Sequence, residues 1–144
     1  MNTPSEVRLL PMSTEEFDGR RVDELQREFF RDDLPTRPKG QYRYYTYGLK
    51  APVGTLVLFQ YRGFVLASAV FTGSKPFPQP DRKGYGGALH FDTGSIRVFD
   101  PVGGEIMKQI WPKFRRFSQA KQFLDPERLG AFEANLKNVE NPSA

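Results

Sequence analysis

The sequence predicts a small α+β domain: a mostly antiparallel, barrel-like sheet flanked by an N-terminal and a C-terminal helix. Three observations predict it. Apolar residues recur at helical spacing over about residues 14–31, and the pattern stops at Asp32-Asp33-Leu34-Pro35. Two strongly apolar runs, Thr55–Tyr61 and Phe64–Phe71, are separated only by Arg62-Gly63, which reads as a hairpin. Asp125-Pro126 then opens a last apolar-periodic stretch through Leu129, Phe132 and Leu136. With 144 residues, 38% of them hydrophobic, the chain is long enough for one real core. It is expected to form a single domain over 1–137, followed by a disordered tail at 138–144.

Residues 1–12 read as a short extended lead-in in which Val7, Leu9 and Leu10 can pack. Ser13, with Glu16 three residues on, has the form of a capping box. It starts a helix with Phe17, Val22, Leu25, Phe29 and Phe30 on or near one face. Proline disfavours helix in the residue before it, so Pro35 closes the segment. Gln41–Leu49 holds Tyr42, Tyr44, Tyr45 and Tyr47; alternation with Arg43 suggests a strand. The Thr55–Tyr61 and Phe64–Phe71 strands follow. Gly73–Gly87, with four Gly and three Pro, reads as a long exposed loop of the kind that often carries function. Ala88–Phe91 and Ser95–Phe99 are two more short strands, and a short helix spans about 105–110. Phe114–Leu124 mixes rings and bases and holds a strand or a helical turn. Asp125 is the N-cap and Pro126 the first residue of the last helix.

Several function classes fall away on composition. Zero Cys excludes disulfides, thiolate nucleophiles and Cys-based zinc sites. A single His, His90, argues against a His-cluster metal site and against a Ser-His-Asp triad. No metal and no cofactor are expected. No apolar run approaches the roughly 20 residues of a membrane span, and no signal-peptide pattern opens the sequence, so a soluble cytoplasmic domain is the expectation. Gly84-Tyr85-Gly86-Gly87 lacks the following helix that a phosphate-binding loop requires. Asp92 and Asp100 stand where turns begin and are read as turn residues before catalytic ones.

Charge is segregated. Residues 1–33 carry nine acids and five arginines; residues 34–124 carry 14 bases and four acids, a net of +10. Such a field attracts polyanions. Rings coincide with it: Trp111, Phe114 and Phe117 interleave with Lys113, Arg115 and Arg116. Ring faces accept stacked bases while adjacent cations accept phosphates. Core burial competes for the same rings. Tyr44, Tyr45 and Trp111 stay open between the two roles, since a hydroxyl or indole N–H needs a polar partner when buried.

Pro52–Tyr61 followed by Gly63–Val70 resembles the central hairpin of PUA-like domains, and more narrowly the EVE group. There a Gly turn leads into a strand ending in an aromatic pair, then a return strand of small and apolar residues. Gln41–Leu49 takes the place of the segment lining the EVE pocket. Phe117–Lys121, followed by Leu124–Glu127, is similar to that group's late Gln-bearing stretch and Pro-started last helix. The resemblance implies a PUA-like pseudo-barrel whose pocket holds a flipped, modified base. Tyr44, Tyr45, Phe59, Tyr61 and Trp111 are the expected ring contacts. Gln60 and Gln119 are the expected base-edge contacts. Arg43, Arg62, Arg97, Lys113, Arg115 and Arg116 are the expected phosphate contacts. The implied protein is a non-catalytic reader of nucleic acid, DNA before RNA, as in bacterial modification-dependent restriction systems with a nuclease partner. It is expected to be a monomer or weak homodimer. Two other readings are a module that self-associates through its acidic N-terminal and basic central surfaces, and a small enzyme using Asp92 or Asp100 as base.

Overall fold

The computed structural model describes residues 3–46 and 48–143; Tyr47, one of the four tyrosines of the predicted first strand, lies outside them. Seven strands and three α-helices alternate as β1 (Val7–Pro11), α1 (Val22–Leu25), β2 (Tyr42–Tyr44), β3 (Leu56–Tyr61), β4 (Phe64–Pro76), β5 (Gly87–Phe91), β6 (Arg97–Gly103), α2 (Gly104–Ile110), β7 (Gln122–Leu124) and α3 (Leu129–Asn135). The sheet runs β2-β5-β4-β3-β1-β7, with β6 joined to β4. Every pairing is antiparallel except β1 with β3. This is the α+β, mostly antiparallel architecture expected.

The β3–β4 hairpin forms as read. Its turn residues Arg62 and Gly63 have φ of +50° and +82°, the sign a type I′ turn demands so that its twist matches the strands. The return strand is longer than expected, at 13 residues. Its first part pairs with β3 on one side and β6 on the other; its last part pairs with β5. The register shifts between Val65 and Ala67 against β6, and between Phe71 and Gly73 against β5. Such irregularities bend a strand and let it serve two sheets.

The sheet separates two apolar layers. Val57, Phe59 and Tyr61 of β3 face one, with Leu25, Phe29, Phe30, Leu34, Tyr42, Phe71 and Phe91. Leu58 faces the other, with Leu9, Val65, Phe99, Met107, Trp111, Phe114 and Phe132. The period-2 alternation of β3 is what sends consecutive side chains into different cores.

Three expectations change. The lead-in is an interior strand: β1 lies between β3 and β7, and its Val7, Leu9 and Leu10 are buried. The first helix starts later than Ser13. Residues 14–19 are turns, Ser13 Oγ accepts from Glu15 N, and the helix begins at Val22 with Glu24 Oε1 accepting from Arg21 N. The segment read as a disordered tail is tied to β6: Glu140 exchanges two backbone hydrogen bonds with Val98, its carboxylate pairs with Arg31 at 2.6 Å, and Asn138 donates to Asp100.

α1 continues into a wider π-helical turn, Gln26–Arg31, a geometry uncommon outside special sites. Its first residue is a buried polar side chain on the core-facing side. Gln26 Nε2 donates to Leu66 O of β4 at 3.0 Å and to Phe99 O of β6 at 2.7 Å. Leu66 lies at the β4–β6 register shift, where the ladder gives it no β6 residue opposite. The helix thus mends the bulge. Gln26→Leu leaves two buried carbonyls unpaired, at about 1–3 kcal/mol each. We expect a urea midpoint lowered by about 2–4 kcal/mol of stability with an unchanged slope; a variant as stable as the parent contradicts this role for Gln26.

Candidate nucleic-acid interface

The expected pocket rings divide between core and surface. Phe59 is fully buried, with its ring 5.0 Å from Phe30 and 5.3 Å from Phe91. Tyr61 is buried too, and its hydroxyl donates to Arg20 O. Trp111 is buried against Phe132 and donates its indole N–H to Asp125 O at 2.9 Å. These three are core residues, because the helical segment and α3 cover both faces of the sheet. Their polar atoms are satisfied by backbone carbonyls.

Gln60 and Gln119 do not converge on a base edge. Gln60 points to the opposite face from Phe59 and donates to Ser118 O at 2.7 Å, while its buried Oε1 has no partner among the described residues. Gln119 is exposed. Tyr44 is half-buried and lies against the bare backbone of Gly87, where a Cβ would collide with its hydroxyl, and in tight contact with that of Gly48. Tyr45 is exposed on one side and stacks on Tyr85 on the other, with centroids 4.3 Å apart and planes 19° off parallel.

The six expected phosphate cations also divide. Arg43 pairs with Asp81 at 3.6 Å, Arg97 pairs with Glu133 at 2.9 Å, and Arg62 donates to the carbonyls of Arg20 and Gly19. Arg62 and Arg97 serve the fold, while Arg43 faces its aspartate more loosely. Lys113, Arg115 and Arg116 are exposed, and among the described residues their side chains form no ion pair. The interleaving read from the sequence explains this. Trp111 and Phe114 are buried and pin the segment, which turns the cations between and after them outward. Gln60 and Gln122 hold the following loop through Ser118 O and Arg116 O.

β7 also exposes a ring that the sequence reading passed over. Phe123 of β7 is 68% exposed, and the guanidinium of Arg8 sits 3.8 Å from its centroid. Arg8 is buried, donates to Lys50 O, and is 3.5 Å from Glu6. A large exposed ring on a cation is a stacking surface.

A hollow of about 240 Å³ lies elsewhere, between residues 16–37, β2 and the 81–85 loop. Phe17, Phe29, Tyr42 and Tyr85 bring rings to it; Arg20, Arg37, Arg43 and Lys83 bring cations; Glu16, Asp18 and Asp33 bring carboxyls. Rings and cations from separated parts of the chain do meet around one hollow, although Arg43 is the only expected site residue on its wall. Arg37 is held by Asp33 at 2.7 Å and Arg20 faces Glu28 at 3.8 Å. Glu16 and Lys83 have no ion-pair partner among the described residues. Burial raises the Glu16 carboxyl above its usual range. Burial also raises the Tyr42 and Tyr85 phenols, and the Glu16 charge adds to both shifts. The 81–85 loop is shaped by Asp81, whose Oδ1 accepts from Lys83 N and Tyr85 N. The clue in the sequence was Tyr85 itself, a lone ring among glycines that the test for a phosphate loop set aside.

A larger groove of about 1070 Å³ runs between the sheet and α3. Its arginine, Arg97, is committed to Glu133, so it lacks the free cations a polyanion needs. The readings against catalysis by Asp92 and Asp100 have local counterparts: Asp92 Oδ1 accepts from Gly94 N, and Asp100 accepts from Asn138. The His90 imidazole is lowered from its usual range by burial and by Lys39 and Lys75. Among the described residues no group of three or more His, Cys, Asp or Glu could hold a metal ion, and no helix is long and apolar enough to cross a membrane.

No protein-family model and no curated protein sequence matches the chain. A solved structure does: the crystal structure of ASCH from Zymomonas mobilis, at 12% identity and a TM-score of 0.57, over 93% of this chain and 98% of that one. The likeness is one of fold: a mixed α+β architecture around a mostly antiparallel seven-stranded sheet, similar to that of this ASCH domain.

The Tyr85 phenol is pushed up to about 12, by burial first and by the neighbouring Tyr45 second. Its protonated form is favoured by the fold, so the stability it adds is full below pH 10, the usual tyrosine value, and is lost as pH rises through about 12. In a spectrophotometric titration, Tyr85→Phe should remove a phenol that ionises near 12 and leave the lower part of the curve in place. Loss of a phenol ionising near 10 contradicts the stacked, shielded geometry.

Proposed function

We propose that this chain is a non-catalytic nucleic-acid-binding module. The observation that carries the reading is the outward display of Lys113, Arg115 and Arg116, unpaired among the described residues. Cations that serve no fold contact cost nothing to redirect to phosphate, and the exposed Phe123 ring on β7 is a separate surface on which a base can stack. The PUA-like class to which the fold belongs is often nucleic-acid-binding, which supports the same reading.

The finer reading has an unstacked, modified base enter the 240 Å³ hollow. Its size suits one ring system, being below the span of drug-sized pockets. Tyr85, the half-exposed ring on its wall, would return in stacking part of the few kcal/mol that unstacking costs. DNA before RNA, and a nuclease supplied by a separate protein, are the partners that the EVE resemblance implies. Self-association through the acidic N-terminal part finds less support, since Asp23, Glu24, Glu28 and Asp33 already face arginines of their own segment.

Fluorescence anisotropy with a short oligonucleotide over a salt series tests the reading. Replacing Lys113, Arg115 and Arg116 together by Ala should weaken binding at least tenfold. It should also flatten the log–log salt dependence by about 2–3 units, near one per lost phosphate contact. DNA and RNA of one sequence, with and without base modification, are the four ligand arms. Wild-type protein that binds none of them at low salt, or a triple variant with an unchanged salt slope, rejects the proposal.

A further inference from the structure

The lining of the smaller hollow has a donor–acceptor logic more specific than ring stacking. Glu16 brings a half-buried carboxylate that forms no ion pair among the described residues, although arginines and a lysine line the same hollow. It lines the hollow together with the Tyr42 and Tyr85 rings. The opposite chemistry shares the same wall. Lys83 is an exposed ammonium without an ion pair, and Arg43 is held by Asp81 only at 3.6 Å.

We propose that the hollow selects a guanine-type base, with Glu16 accepting from its two adjacent N–H donors and Lys83 or Arg43 donating to its carbonyl and ring-nitrogen acceptors. This rests on the reading of the hollow as a base pocket. An ionised carboxylate only accepts hydrogen bonds. Guanine presents a ring N–H and an exocyclic amine side by side, a matched pair for two carboxylate oxygens. Adenine and cytosine each set one amine beside an acceptor, and uracil sets one N–H between two carbonyls. All three would aim a lone pair at the carboxylate. The O6 and N7 atoms of guanine are the acceptors that Arg and Lys commonly contact. Burial of Glu16 sharpens the choice, because an incompletely satisfied carboxylate in a shielded site is costly.

Isothermal titration of the full chain with guanosine, inosine, adenosine, cytidine and uridine tests this without any phosphate contact. Guanosine should bind at least about tenfold tighter than the others. Inosine, which lacks only the 2-amino group, should fall with the weak set, since a site built for a donor rejects the analogue without it. Glu16→Gln, near-isosteric at a half-buried position, should lose about tenfold for guanosine with an unchanged melting temperature. Equal binding of inosine and guanosine overturns the proposal on wild-type protein alone, as does a Glu16→Gln protein that keeps its guanosine affinity. Failure of every nucleoside, while oligonucleotide binding and its dependence on Lys113, Arg115 and Arg116 persist, overturns this inference and leaves the module a nucleic-acid binder. Failure of both sets of ligands overturns the two together.

Discussion

The structure depends on one strand doing two jobs. β4 must pair with β3 and β6 over its first part and with β5 over its last. A straight strand cannot do this, so β4 bends at its register shifts, and each shift leaves backbone groups that need a partner. Gln26 answers one of them by reaching from the π-helical turn to Leu66 O and Phe99 O. That places Phe29 and Phe30 over β3, with Tyr42 5.8 Å from Phe29, and so fixes the floor of the hollow. Fold and candidate pocket therefore share a single constraint.

The same constraint explains how the aromatics are spent. Thirteen Phe and six Tyr exceed what a one-sided sheet can bury. Here the sheet is covered on both faces, by the helical segment on one and by α2, α3 and the 111–117 segment on the other. Ring pairs, edge-on except for the tilted Phe30–Phe59 contact, run continuously from Phe17 through Phe29, Phe30 and Phe59 to Phe91. Most rings are structural, and the few left over, Tyr45, Tyr85 and Phe123, are the ones with a face available to a ligand.

What could be read from the sequence follows from the range of each interaction. The β3–β4 hairpin and the Asp125-Pro126 helix start are set by near neighbours, and both stand where their residues put them. The outward Lys113, Arg115 and Arg116 were legible for the same reason, since their alternation with Trp111 and Phe114 is local. The pocket was not. Phe59 and Tyr61 end a strand in the manner of pocket walls, yet packing of the distant residues 25–34 buries them. Residues 7–11 looked like an apolar lead-in because nothing nearby shows that β3 and β7 will flank them. Glu16, Tyr42, Lys83 and Tyr85 meet only through the closure of the sheet, and no spacing between them announces it. A lone tyrosine between glycines was the one available signal.

Two chemically distinct surfaces result: a loop of outward cations with no ion pair among the described residues, and a small hollow with a half-buried carboxylate among rings. The central claim is that a single nucleic-acid ligand uses the first for its backbone and the second for a base. Backbone amide chemical-shift mapping of ¹⁵N-labelled protein with a short oligonucleotide tests it most directly. The account predicts saturable shifts at Lys113–Ser118 and Phe123 together with Glu16, Tyr42 and Lys83–Gly86. Shifts confined to the groove between α3 and the sheet, or none at either surface, would contradict it.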